Sequence, residues 1–163
     1  MSDELFGIGF LGFFMAFALF FIVMFFVAIV LYVLQAIGLF KIAKNDGKND
    51  LAWLAWVPVV NSFLLMILVE DEVHEDLRGK VTLFYGIAFV VSIIIGGFIP
   101  FLAFIPLVMI IYAFYFLSKR YSENPVMHMV IAIITIGMSI PVQIFIFRNS
   151  ERIVPQIIDH PTE

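Results

Sequence analysis

Charged side chains interrupt this chain so seldom that they cut it into four long apolar blocks. Residues 5–40 run for 36 positions without an Asp, Glu, Lys, Arg or His. Residues 51–69 follow with 19 positions, residues 81–118 with 38 and residues 124–147 with 24. The blocks are apolar on every face rather than in alternation, which predicts helices; the strands of a membrane barrel alternate polar and apolar positions. A bilayer core about 30 Å thick takes roughly 20 helical residues, so block length decides what each block can be.

The third block as one straight helix would be about 57 Å long, nearly two hydrocarbon cores. It contains Gly96-Gly97, then Pro100 and Pro106. Two glycines followed by a proline mark a turn, so the block reads as a tight hairpin with arms at 81–95 and 100–118. The first block is also too long, at about 54 Å. Gly7, Gly9 and Gly12 cluster at its start, where glycine weakens a helix. The expectation is an interfacial lead-in over 3–12, then a span over about 13–40 that runs out through Lys41 and Lys44. Gly47 breaks it, and Asn49-Asp50 offers an N-cap for the next segment. The fourth block reads as one span over 125–147.

The second block, 51–69, carries Pro58 near its middle, then Asn61-Ser62, with Trp53 and Trp56 three apart. Counting Lys and Arg separates a crossing from a dip that returns, because cytoplasmic loops carry the excess. Five crossings leave five basic residues on one side and four on the other. A dip at 51–69 gathers seven in residues 41–50, 70–80 and 118–123, and leaves only Arg148 and Arg152 opposite. The fold expectation is therefore an all-α integral membrane protein: a bundle of four transmembrane helices plus a Pro-broken re-entrant or interfacial helix, five spans if that segment crosses. One polytopic domain covers 1–150, both termini lie outside, and 151–163 is a short polar tail.

Composition narrows the functions. The chain is 63% hydrophobic and 13% charged, with 20 Phe among 163 residues, against about a quarter charged in soluble domains. A chain this short has too much surface to hide that much apolar area, so lipid is the first expected partner. The net charge of −4 leaves nucleic acid without its main electrostatic attraction. No cysteine is present, which excludes disulfides, thiol catalysis and thiolate metal sites. The start, Met-Ser-Asp-Glu, lacks the positive charge of a secretory signal, so the first apolar block is expected to be retained.

The stretch from Leu34 through Gln35, Gly38, Lys41 and Lys44 to Gly47, then Leu51-Ala52-Trp53-Leu54-Ala55-Trp56-Val57-Pro58-Val59-Val60-Asn61, resembles a pattern in small bacterial multi-pass membrane proteins, chiefly of the Firmicutes. The later hairpin, Lys119-Arg120-Tyr121 and the ending from Pro141 to Phe147-Arg148-Asn149 are similar too. The resemblance covers most of residues 30–150. It implies a bacterial setting, with a place in the cytoplasmic membrane, and a fold; the group has no established activity, so no residue role carries over.

Candidate chemistry is sparse. Ionisable residues inside a membrane mark pumps, relays and ion paths, and the blocks hold no Asp, Glu, Lys or Arg. Neither paired carboxylates nor a nucleophile–base pair is present there, so no enzyme, cofactor or metal is expected. Met127-His128-Met129 invites a copper reading, but adjacent helical residues point about 100° apart and do not converge on one ion. Asn61, Thr135, Ser139 and Gln143 are polar residues that lipid leaves costly unless paired. The last three recur every four positions and share a helical face, either packing helices together or lining a path. Pro58 frees the Leu54 carbonyl, which Asn61 reaches only if the chain folds back. Gly12 and Ala16 have the small-xxx-small spacing of close helix association, flanked by a stripe of Phe6, Phe10, Phe13, Phe17 and Phe20. The loop with Glu70, Asp71, Glu72, Glu75 and Asp76 reads either as a solvated charge run beside the membrane or as a docking surface for a basic partner. The reading is a non-catalytic accessory or scaffolding subunit that packs against other membrane proteins or itself, with toxin immunity as a related binding role. A small channel, holin-like pore or solute-transport component is the rival.

Overall fold

The computed structural model describes residues 2–153, with side chains from Phe10 onward. Every regular element among them is helical: α1 (Ser2–Asn45), a 3₁₀ helix (Asn49–Trp56), α2 (Val60–Val69), α3 (Val81–Ile95), a 3₁₀ turn (Pro100–Phe104), α4 (Ile105–Tyr121), α5 (Pro125–Ile134) and α6 (Ile140–Phe147). Two helices are long and apolar enough to cross a membrane, Phe10–Asn45 and Pro100–Tyr121. The tail from residue 154 to 163, with Pro155 and Pro161, lies outside the described residues.

α1 is one unbroken helix of 44 residues, so the expected break between a lead-in at 3–12 and a span does not occur. Each glycine costs a helix about 1 kcal/mol. The helix runs through all three nonetheless. Gly47, with φ of 74°, ends the exit from α1 as expected. The next cap differs from expectation: Lys48 rather than Asn49 or Asp50 occupies it, and its Nζ donates to the Ile67 carbonyl at 2.5 Å.

Three segments leave one end of the bundle, turn, and come back to it. The first is 49–69. The 3₁₀ helix runs back along α1 until the Tyr32 hydroxyl donates to the Trp56 carbonyl. The chain reverses through Pro58 and Val59, whose φ of 69° is unusual for a β-branched residue. α2 then returns to the starting end. The second is the α3–α4 hairpin, with its turn at 96–99 as the glycines and proline predict. Ser92 ties the arms, its hydroxyl lying 2.8 Å from the Ala88 carbonyl and 2.9 Å from that of Leu102.

The third corrects the sequence reading. Residues 124–147 are two antiparallel helices, α5 and α6, with a reversal at Ile136 (φ 52°) and Gly137 (φ 82°). Their far ends meet, with His128 and Phe147 ring centroids 5.0 Å apart. A proline four residues after a glycine that takes a left-handed conformation accounts for the break. Arg148 and Arg152 consequently lie with the other basic residues instead of opposite them. All nine Lys and Arg sit at this one end of the bundle.

The core is built where these segments cross the last third of α1. Ala36, Leu39, Ile42 and Ala43 of α1 are fully buried against Leu64, Leu65, Leu68, Phe114, Leu117 and Ile144. The closest approach is at Gly38, where an added Cβ would stand 2.7 Å from Ile144 Cγ2 and 2.9 Å from the Ile144 backbone. Gly38→Ala is therefore expected to destabilise the fold by about 1–3 kcal/mol, the cost of overpacking a tight contact. The check is the thermal unfolding midpoint in detergent, with Gly12→Ala, where nothing lies within 4 Å, as the control that does not lower it.

Candidate functional site

The polar residues singled out from sequence separate into two places. Thr135, Ser139 and Gln143 are brought together at the α5–α6 reversal, although the one continuous helix that put them on a common face is not there. Thr135 Oγ1 and Ser139 Oγ are 2.8 Å apart, and Thr135 Oγ1 also donates to the Ile131 carbonyl. The Ser139 backbone N–H donates to Thr135 Oγ1 at 3.2 Å, so the threonine caps the new helix after the break. Gln143 Nε2 donates to Ser139 Oγ at 2.9 Å. That fixes Gln143 Oε1 as an acceptor, and His128 Nδ1 donates to it at 2.5 Å.

His128 thus belongs to this chain of hydrogen bonds. Its ring lies edge-on to Phe147, while Met127 points outward and is exposed. The whole set is a clamp between two short helices, held by a continuous run of hydrogen bonds from Thr135 through Ser139 and Gln143 to His128. Asn61 stands apart in the first turn of α2, buried. The Leu54 carbonyl that Pro58 frees is taken by the Val57 N–H at 3.1 Å, not by Asn61. Next to it, Tyr85 donates to Ser62 Oγ at 2.9 Å and Ser62 to the Val59 carbonyl at 2.5 Å, which pins the reversal at Val59.

The strongest electrostatic feature was not among the sequence candidates. Arg120, read from sequence as a boundary marker, is buried at the end of α4 with its side chain only 9% exposed. Its guanidinium pairs with Asp46 beyond α1, with Glu72 after α2, and with the Leu68 carbonyl. Asp46 is itself 4% exposed and also pairs with Arg152 of the tail. The tail backbone adds a bond from Ile153 N–H to the Arg120 carbonyl at 2.7 Å. Burial works against the charge of Arg152, but its pairing with Asp46 and its nearness to Tyr121 hold the guanidinium above its ordinary value. The signal available in the sequence was an acid, Asp46, inside an otherwise basic exit, facing an arginine at another block's edge.

This knot changes the acidic loop. Glu72 is engaged by Arg120, and His74 pairs with Asp76 at 3.2 Å on the surface. Asp71, Glu75 and Asp76 remain exposed, and Glu70 is half-buried. Among the described residues no three His, Asp or Glu converge as metal ligands. Gly12 and Ala16 lie far from the bundle on the exposed half of α1, where Phe13, Phe17, Phe21 and Phe20 form a ladder of rings 6.1, 4.6 and 5.8 Å apart within the helix itself.

Removing Arg120 leaves two carboxylates beside one another without their common partner. Arg120→Gln is expected to cost about 3–5 kcal/mol, the penalty for breaking a buried ion pair by deleting one member. Arg78→Gln, at an exposed position, is expected to change unfolding by less than about 0.5 kcal/mol. Denaturant or thermal unfolding in detergent measures both.

Comparison with protein-family models, curated proteins and solved structures finds no match to this chain.

Proposed function

We propose that this protein is a non-catalytic component of a bacterial cytoplasmic membrane that associates with another membrane protein through the free half of α1. The observation that carries the reading is that every residue from 10 to 30 is exposed. That stretch is apolar on all sides, and up to Val23 it packs against no other element among the described residues. Lipid satisfies much of such a surface, but α1 is about 66 Å long and the hydrocarbon only about 30 Å thick. The reversal of α5–α6 comes alongside α1 at Met24, Ala28 and Tyr32, so the first twenty residues extend past it. Even a helix tilted by about 40° does not bring so long an apolar run within the hydrocarbon of one bilayer. Gly12 and Ala16 lie in that excess, and a partner's apolar helix is its natural cover.

The membrane placement follows from charge. With all nine Lys and Arg at one end, that end is cytoplasmic by the rule that basic residues are retained inside. α1 then crosses once, the α3–α4 hairpin enters and returns, and 49–69 and α5–α6 dip as re-entrant segments. The N-terminus lies outside and the tail inside. The rival pore reading needs polar side chains along an open path, and Thr135, Ser139, Gln143 and His128 are instead bonded to one another.

Two experiments test this. The chain has no cysteine, so single cysteines report sidedness directly. Cysteines at Lys48, Arg78, Ser122 and Ser150 are expected to label from the cytoplasmic side, and one at Ser2 from the outside; labelling of Ser150 from the outside overturns the arrangement. For association, gentle extraction is expected to recover a stoichiometric partner with the wild type and to lose it with Gly12→Leu/Ala16→Leu, whose bundle unfolds unchanged. A homo-oligomer that releases liposome contents favours the pore instead.

A further inference from the structure

The ends of α1 and α6 enclose a cavity of about 410 Å³ lined by Lys41, Asn45, Tyr121, Arg148, Asn149 and Arg152. Lys41 is the first charge after the long apolar block, and Arg148 the first after the last one. The cavity thus opens where apolar surface stops.

Its walls are rich in unspent donors. Lys41 Nζ gives one hydrogen bond to Asn149 Oδ1 at 2.8 Å and has two more N–H groups. The Arg148 guanidinium lies flat on the Phe145 ring, 3.3 Å from its centroid, with Nη1 donating to the Phe145 carbonyl at 2.6 Å. This fixes its plane and leaves its other donors free. Neither cation pairs with a carboxylate among the described residues, whereas Arg152 is held by Asp46. Glu151 is the one acid on the lining. Tyr121 backs the notch: its ring stacks on Phe147, and its hydroxyl, shut off from solvent, lies toward Arg152, which Asp46 already holds. What the cavity offers unmatched by a carboxylate is therefore the pair Lys41 and Arg148.

We infer that this notch binds the phosphate of an anionic phospholipid headgroup, with Lys41 and Arg148 supplying both the charge and the hydrogen-bond donors. A phosphate offers several acceptor oxygens, and arginine and lysine are its usual partners. Val33 and Ile37 lie two and one turns before Lys41 on the same face of α1, so acyl chains have an apolar wall directly below. Basic pockets between helices on the cytoplasmic side are where anionic headgroups bind. The inference rests on the membrane placement proposed above and is independent of the partner on α1.

The test uses the full chain purified in a neutral detergent. Its unfolding midpoint is followed against added phosphatidylglycerol, phosphatidylcholine of the same chain length, or inorganic phosphate. Phosphatidylglycerol is expected to raise the midpoint saturably, and the other two to leave it in place. Lys41→Gln/Arg148→Gln is expected to weaken the apparent affinity about tenfold or more, from the loss of two charged hydrogen bonds. If that variant does not fold, Arg148→Lys keeps the charge but loses the planar fork of donors and should weaken binding several-fold. Equal stabilisation by both lipids overturns the inference, as does unchanged affinity in the variants. Stabilisation by inorganic phosphate alone also overturns it, since the site then takes a free anion and not a headgroup. Alkaline carbonate washing of membranes separates the two failures. A protein retained in the membrane but indifferent to headgroup loses only this site, while one released loses the membrane placement as well.

Discussion

The fold hangs on one buried cation. Arg120 collects Asp46, Glu72 and the Leu68 carbonyl, and through Asp46 it also holds Arg152. Four segments far apart in sequence are tied at one point: the exit from α1, the end of α2, the end of α4 and the start of the tail. Charges so deeply placed lose hydration, and they are tolerated only when each finds its counterpart. Each returning segment must therefore end at the same level as the others. The knot does not create the core of Leu39, Leu64, Phe114 and Ile144, but it sets the register in which those side chains meet.

The two short reversals show how such a chain turns without charged loops. At Val59 and at Ile136-Gly137 the backbone enters left-handed conformations in the middle of apolar sequence. In each case hydroxyls stand close by: Ser62 and Tyr85 at the first, Thr135 and Ser139 at the second. They supply partners for backbone groups that the broken helix no longer satisfies, which an apolar surrounding makes obligatory. The polar residues of the blocks thus serve the turns, and the same requirement uses Gln143 and His128 to clamp α5 to α6.

Much of this was legible in the residues. Helical character, the hairpin at 96–99, the exit at Gly47 and the disruption at Pro58 follow from block length, glycine and proline. What misled was the assumption that 24 apolar residues make one span. A lone Gly137 in an apolar run signals little, because glycine is common in such helices; its φ and the antiparallel return of α6 depend on Gly38 of α1 leaving room for Ile144. The Arg120 knot was hidden for a similar reason. Nothing local distinguishes an arginine that ends a helix in solvent from one that three other segments enclose. The continuity of α1 through Gly7, Gly9 and Gly12 shows that three glycines do not stop a helix of 44 residues.

The gathering of all nine cations at one end bears on how the chain is made. In a bilayer, none of the three returning segments would carry a charge through the hydrocarbon, since their turns hold only apolar, proline, glycine and hydroxyl residues. Each would enter as a folded loop whose far tip is uncharged. With the placement proposed above, Asp3 and Glu4 at the start of α1 would be the only acidic or basic side chains in residues 2–153 to be moved across. Assembly would then reduce to one difficult translocation, followed by insertions driven by the apolar effect alone.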